Sequence, residues 1–251
     1  MKIKFLTQPA LLLEPGKVLV IADLHIGIEY EMFRAGIKLP SQTEKITGKI
    51  EKLIKETKAK ELVILGDVKH NVPTISWQEI DEIPKFFERL SKKVKITVVK
   101  GNHDGDIEYL TGKAKVKVVS PSGFKMKNIG FVHGQAWFKK SMLDCEYILM
   151  AHVHPIVEFR TGSYRATEHC WLKVKPNNDI LKEKFKRESK IKEIIIMPVF
   201  NHLIGGYAVN SEDFKPLGPI MRNKIIDVKK SEVYLLDGTY LGKLDKLKKK
   251  N

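Results

Sequence analysis

Five short polar clusters in this chain carry residue types that bind divalent metals. They are Asp23-Leu24-His25, Gly66-Asp67, Gly101-Asn102-His103-Asp104, His133-Gly134 and His152-Val153-His154. Asp, His and Asn, with no cysteine among them, are hard-to-borderline oxygen and nitrogen donors, which suit Mn, Fe or Zn rather than a soft thiolate-bound metal. In Asp23-x-His25 and His152-x-His154, alternate residues of an extended segment would project from one side, so both can face the same site. The donors outnumber what one ion takes. Two ions about 3.5–4 Å apart, bridged by a carboxylate, would use them all and clamp phosphoryl oxygens.

Each cluster directly follows an apolar run of strand length: 18–22, 62–65, 96–99, 129–132 and 147–151. The carboxyl ends of strands are where open α/β sheets bind ligands, so the five clusters are expected to converge on one crevice. Alone, Gly66-Asp67 reads as a turn, and a single strand-end histidine as a satisfied polar residue. Together, five of the eight histidines fall at the ends of successive strands, in a strand context that supports a metal motif. Further runs at 116–119, 194–197, 225–228 and 233–236 read as strands of sheets covered on both faces. Between the first two runs, residues 41–57 place Ile46, Ile50, Leu53 and Ile54 at helical spacing behind a Ser41/Glu44 capping box. A second helix is expected over about 77–90, opened by Ser76 and Glu79, with Pro84 kinking it or marking its first turn. In it Phe86, Phe87 and Leu90 are core residues. Strands and helices alternate early and strands follow in quick succession later, which predicts an α/β chain with mixed sheets.

At this level the sequence resembles the calcineurin-like metallophosphoesterases, whose D-x-H, G-D, G-N-H-D/E, H and G-H-x-H motifs it matches in order from about residue 18 to 155. Asp-Leu-His-Ile-Gly, Gly-Asp-Val-Lys-His and Pro-Val-Phe-Asn-His-Leu-Ile-Gly-Gly also resemble a narrower group, archaeal phosphoesterases related to the Icc and SbcD proteins. The resemblance implies a sandwich of two mixed β-sheets flanked by helices. It implies one metal held by Asp23, His25 and His154 and another held by Asn102, His133 and His152, with Asp67 bridging. His103 matches the histidine that contacts the phosphate and protonates the leaving oxygen, and Asp104 the carboxylate that orients it. A hydroxide bridging the metals would attack phosphorus in line. One departure is Ala151, where the family commonly has glycine. A methyl there bears on backbone approach but removes no ligand.

The resemblance also implies two divalent ions, Mn²⁺ first and Zn²⁺, Fe²⁺ or Ni²⁺ as alternatives, and a phosphoester substrate. Lys100 and Asp104 depart from the Arg-Gly-Asn-His-Glu of protein Ser/Thr phosphatases, and Val68-Lys69-His70 lacks the tyrosine ligand of purple acid phosphatases. Only residues 156–251 follow the last motif, which leaves little room for the extra DNA-binding domain of SbcD-type nucleases. The expected activity is therefore a phosphodiesterase acting on nucleic acid, DNA or RNA, or on nucleotides. A phosphomonoesterase or nucleotidase, or a non-catalytic scaffold subunit, are the alternatives.

Composition bounds the reading without choosing a substrate. With 251 residues, 43% of them apolar, the chain is expected to form one domain over 1–251. Residues 173–192 read as a polar, least-ordered insertion with a turn at 176–179, and 246–251 as a frayed tail. The net charge of +15 rests on 39 Lys and only 6 Arg. A Lys-dominated excess fits a solvated, thermophile-like surface as well as a polyanion-binding one. Arg34, Lys38, Arg160 and Arg165 are candidate phosphate clamps on the same footing. His70 and His202 are candidates for the site or its rim, whereas nothing singles out His169. Cys145 and Cys170 make no disulfide framework. The apolar stretch 10–13 is broken at Glu14-Pro15-Gly16, too short for a signal peptide. No run reaches the ~18 apolar residues of a membrane span, so the expected location is cytoplasmic, without a membrane partner.

Overall fold

A computed structural model of the chain describes residues 1–247. The first half builds a sheet from β1 (Lys2–Phe5), β2 (Leu11–Glu14), β3 (Val18–Ile21), β4 (Glu61–Leu65), β5 (Lys95–Val99) and β6 (Val116–Val119), in that spatial order. β1 to β3 form an antiparallel meander, and β3 to β6 run parallel. Helices α1 (Ile28–Arg34) and α2 (Thr43–Thr57) connect β3 to β4, and α3 (Trp77–Ser91) connects β4 to β5. The second sheet contains β7 (Phe124–Met126), β8 (Ile129–Val132), β9 (Tyr147–Met150), β10 (Pro155–Thr161), β11 (Tyr164–Val174), β12 (Glu193–Ile196), β13 (Tyr207–Ala208), β14 (Glu232–Leu235) and β15 (Tyr240–Lys243). Its order is β13-β10-β11-β12-β9-β8-β7, with β14 on β11 and β15 on β14, and β8, β9 and β12 parallel at its centre. Helices α4 (Asn178–Phe185) and α5 (Gly218–Arg222) lie between β11 and β12 and between β13 and β14.

The period of two along each strand sorts its side chains into layers. Val18 and Val20 join Val63, Leu65 and Val99 in a cluster shared with Phe131, Leu149, Trp171 and Ile195 of the other sheet. Leu19 and Ile21 instead pack with Ile46 and Ile50 of α2 and Phe86, Phe87 and Leu90 of α3. On the far side Ile148, Met150, Cys170 and Leu172 pack under Leu181 of α4 and Ile220 and Met221 of α5. The result is the expected sandwich of two mixed sheets flanked by helices. All five candidate clusters leave it at the carboxyl ends of β3, β4, β5, β8 and β9.

Several local expectations change. The capping box of α3 forms as read, with Ser76 accepting from the Glu79 N–H and Glu79 returning to Ser76. The Ser41/Glu44 box does not: α2 starts at Thr43 behind Gln42, and Ser41 bonds Glu82 across to α3. Pro84 sits inside α3; Ile80, whose carbonyl the ring deprives of a partner, is 58% exposed, so water can replace the bond. Residues 225–228 are no strand, because Ile225 and Ile226 are buried as irregular chain under the second sheet. Residues 173–192 are ordered around α4, whose N-cap Asn177 accepts from Asp179 and Ile180 and whose Leu181 is fully buried. Of the tail expected over 246–251, Lys246 ends a 3-10 turn that begins at Leu244, and residues 248–251 lie outside the described residues. Among the described residues no helix is long and apolar enough to cross a membrane.

Phe131 is fully buried between the sheets, stacked on Phe124 with ring centroids 4.8 Å apart. Phe131→Ala should therefore lower unfolding stability by about 3–5 kcal/mol, read as a fall in the denaturant midpoint. A shift of only a few tenths of a kcal/mol would mean that the inter-sheet layer repacks freely.

Candidate metal centre

The strand ends bring the candidate residues together by a sharp local backbone rather than an extended one. Asp23, His25, Asp67, His152 and His154 all have positive φ, at 55°, 45°, 49°, 71° and 46°. The alternation expected for Asp23-x-His25 and His152-x-His154 is thus replaced by left-handed turns, a conformation uncommon for non-glycine residues that Asp and His take more readily than most. The intervening Leu24 and Val153 go into the helix-facing cores on opposite sides of the molecule and anchor the two turns. Gly66 has φ 79°, and a Cβ there would overlap the His133 ring. A Cβ at Gly101 would overlap the Asp67 carboxylate. Ala151 is fully buried in the inter-sheet cluster and donates its N–H to the His133 carbonyl at 2.8 Å, so its methyl packs away from the ligands.

Two groups of donors share one carboxylate. Asp23, His25, Asp67 and His154 form one set with ligand atoms within 4.8 Å of one another, and Asp67, His133 and His152 form the other. Asn102 joins the second set, its Oδ1 lying 3.2 Å from His133 Nε2. Asp67 Oδ2 lies 3.7 Å from His25 Nε2 and 3.4 Å from His133 Nε2. Asp67 Oδ1 accepts the His103 N–H at 2.9 Å, which fixes the carboxylate plane. Asp23 Oδ1, His25 Nε2 and His154 Nε2 are buried with no hydrogen-bond partner. Buried polar atoms are rarely left so. Three orphans converging beside a shared carboxylate fit divalent cations.

The electrostatics agree. Burial, reinforced by the surrounding imidazoles and opposed by Asp67, holds His25 well below the ordinary imidazole range. Burial and the neighbouring His133 lower His152 to about 4. Both are neutral at pH 7, the state that offers a lone pair to a metal. For His133, burial works downward, yet the Asp67 and Asp23 carboxylates raise it to about 9. Asp67 is in turn driven down by His133 despite its own burial. His133 Nδ1 lies 2.8 Å from the Leu65 carbonyl, the outer bond that aims Nε2 at the site.

His103 and Asp104 sit as neighbours with different tasks. His103 Nδ1 bonds the His70 carbonyl, leaving Nε2 as the ring nitrogen available to a substrate. Asp104, expected to orient His103, instead accepts N–H groups from Val68 at 2.8 Å, Lys69 at 3.3 Å and Gly101 at 2.9 Å. It braces the loops after β4 and β5 against each other, and its burial together with Asp67 pushes its own pKa up to about 6. The orientation of His103 comes from a backbone oxygen that no side-chain motif reveals.

His70 belongs to this site: its Nδ1 lies 3.1 Å from His25 Nδ1 and its Nε2 2.6 Å from Glu31 Oε2. Glu31 carried no sequence signal, Glu79 only that of a helix cap, and Asn201 only its place in the segment that resembles the narrower group. Glu79 accepts the His70 and Asn71 N–H groups, and Asn201 ties the Leu24 carbonyl at 2.8 Å. Arg34 lines a cleft with Glu31, His70 and His103, and Arg165, His169 and His202 line a second cleft; Lys38 is exposed, and Arg160 pairs with Glu158.

Metal binding should carry two signatures. A cation entering beside Asp67 displaces the His133 proton, so about one proton is released at pH 7. Affinity then rises with pH, by about tenfold per unit, until the His133 pKa of about 9 is passed. Calorimetry in buffers of different protonation enthalpy counts the proton, and a pH-independent affinity would contradict the His133–Asp67 ion pair. His70→Ala removes the outer partner of His25 and should weaken metal binding by about 10–100-fold. Metal titration with an unchanged affinity would make His70 a bystander.

The comparisons with known proteins follow the same line. The chain matches the calcineurin-like phosphoesterase family over residues 16–219. No curated protein matches it significantly. Among solved structures it is similar to the Pseudomonas putida nuclease MPE at 20% identity and TM-score 0.61, covering 95% of this chain and 94% of that one. It also aligns with the E. coli phosphoesterase Yfce at 15% identity and TM-score 0.40, covering 90% of this chain and 96% of that one. With the family matched over most of its length and the donor set to go with it, the chain belongs to the calcineurin-like phosphoesterases and is a metal-dependent phosphoester hydrolase.

Proposed function

We propose that the protein is a binuclear phosphodiesterase acting on nucleic acid or nucleotides. The observation that carries this reading is Asp67 Oδ2, set 3.7 Å from His25 Nε2 and 3.4 Å from His133 Nε2 at the junction of two donor sets. Asp23, His25 and His154 hold one cation, and Asn102, His133 and His152 the other. Mn²⁺ suits these oxygen and nitrogen donors, with Zn²⁺, Fe²⁺ or Ni²⁺ as alternatives. Cations held by these residues would supply Lewis-acid attraction for phosphoryl oxygens and a lowered pKa for a bound water.

The chain's own residues do the rest. Asp67 keeps the two donor sets in register because its other oxygen is tied to the His103 N–H. His103 presents Nε2, its Nδ1 being occupied by the His70 carbonyl, and gives a proton to the departing oxygen as the ester bond opens in line. Two clefts, of about 710 and 520 Å³, open beside the site, one lined by His70 and His103 and the other by His169 and His202. A diester has two arms to place and a monoester only one, which favours the diester. The Pseudomonas putida protein of the same fold is a nuclease, which makes a polynucleotide the first natural substrate to test.

Metal-freed protein should hydrolyse bis-p-nitrophenyl phosphate only when Mn²⁺ is restored, and His103→Ala should lose about 10²-fold or more in kcat. The loss should be greater on an oligonucleotide, whose sugar alkoxide needs a proton more than p-nitrophenolate does. Absence of turnover with Mn²⁺, Zn²⁺, Fe²⁺ and Ni²⁺ would refute the diesterase reading.

A further inference from the structure

The hairpin of β10 and β11 continues the site away from its metal donors. Its register pairs Ile156 with His169, Glu158 with Thr167, and Arg160 with Arg165. Directly opposed residues share a face, so these six side chains form one surface. Along β11, Arg165, Thr167 and His169 recur every second residue and span about 13 Å at ~3.3 Å per residue. They line one wall of the cleft of about 520 Å³, and residues 202–206 form the other. The cleft begins at the metal centre: the Gly206 Cα would place a Cβ against the His154 carbonyl, and Tyr207 donates its N–H to that same oxygen at 3.0 Å. Among the described residues no carboxylate lines it.

The arginines are set in place rather than scattered on a surface. The Glu158 side chain, only 2% exposed, meets Arg160 Nε at 2.6 Å and Arg165 Nε at 2.5 Å. Their side chains remain 44% and 61% exposed. Glu158 sits between the two opposed arginines and offsets their repulsion, and ion pairs whose arginines stay this exposed add little stability. Stability alone does not account for the arrangement. It holds the Arg165 guanidinium in the cleft wall and that of Arg160 across the hairpin from it, two positive charges on one carboxylate in the planar form that matches phosphate oxygens. Asn210 fastens the same strand, accepting the Glu158 N–H and donating to its carbonyl. On the opposite wall, partial burial lowers the pKa of His202, and the charges of Lys49 and Lys45 of α2 add to the effect. His169 Nδ1 is buried in the cleft wall with no hydrogen-bond partner.

We infer that this cleft is a backbone track for a polynucleotide, in which Arg160, Arg165, Thr167, His169 and His202 bind the phosphates next to the scissile one. The inference rests on the diesterase reading and narrows its substrate to a chain rather than a mononucleotide. Its phosphates leave the metal centre past His169 and reach the arginine pair at the hairpin tip.

The test uses the Mn²⁺-loaded enzyme with single-stranded DNA and RNA oligonucleotides and with bis-p-nitrophenyl phosphate, which does not reach along the track. Two variants probe it: Arg165→Gln, which leaves Arg160 on Glu158, and Thr167→Glu, which adds a negative charge at an exposed position. The oligonucleotide KM should rise about tenfold in each, with kcat within about twofold, and the preference for oligonucleotide over the small ester should fall by the same factor. In Arg165→Gln the slope of log affinity against log salt should become shallower by about 0.7, one single-strand phosphate contact. Wild-type KM and salt slope in both variants would overturn the track. Hydrolysis of the small ester with no binding or cleavage of either strand would also overturn it, while leaving the diesterase reading intact. Should no diester be turned over, the diesterase reading fails by itself, and oligonucleotide anisotropy with the same variants decides the track: unchanged affinity ends it.

Discussion

The Asp67 carboxylate is the element on which the rest of the site depends. It is buried, ionised, and pressed between His25 and His133, with one oxygen fastened by the His103 backbone and the other turned toward both imidazoles. An ionised group cannot be buried without compensation, so everything around it is arranged to supply some. Gly66 lets the chain turn under His133, Gly101 leaves room for the carboxylate, and Asp104 knits the two loops that carry them. His133 carries the compensating proton until a cation takes over that role. Metal affinity and site geometry are two consequences of the same buried charge.

Holding that charge needs a backbone that would not persist alone. Five donor residues adopt left-handed conformations, each costing on the order of 1–3 kcal/mol. The cost is borne by packing on both sides of each turn. Leu24 and Val153, the middle residues of the two x positions, are fixed in different cores, and the strands beneath are locked by the layer containing Phe131 and Trp171. Rigid cores under strained turns keep the donors preorganised, so binding a cation requires little rearrangement. The second layer of contacts extends this outward: Leu65, His70 and Glu31 aim the imidazoles, and Asn201 ties the loop after β12 to the loop after β3.

The two ends of the site differ in construction. Toward α1 the cleft mixes Glu31 with Arg34 and His70. Toward the β10–β11 hairpin no carboxylate among the described residues lines it, and it reaches Arg165, which with Arg160 is held by Glu158. The overall charge of +15 says little about this asymmetry, since most of it is lysine spread over the surface. The placement of six arginines is more informative than the sum of 45 basic residues.

Residue type and order along the chain were enough to identify the five clusters, the strands before them and an α/β chain with mixed sheets, because strand ends are local features and apolar runs report burial directly; the sandwich followed from the family resemblance. The Asp, Asn and His residues of those clusters were readable for that reason, and which of them would hold metal was implied by the family resemblance. The contacts of Asp104, His70 and Glu31 were not readable, since each depends on a partner from a distant loop. The same holds for the backbone at Asp23 and His152, where neighbouring strand ends impose a left-handed turn that residue identity alone does not specify. The β10–β11 hairpin escaped notice because its strands are polar along half their length, and a strand paired at an exposed edge leaves no apolar run. Local composition determined which chemistry the chain could perform; long-range packing decided which atoms face each other and along which wall a substrate could lie.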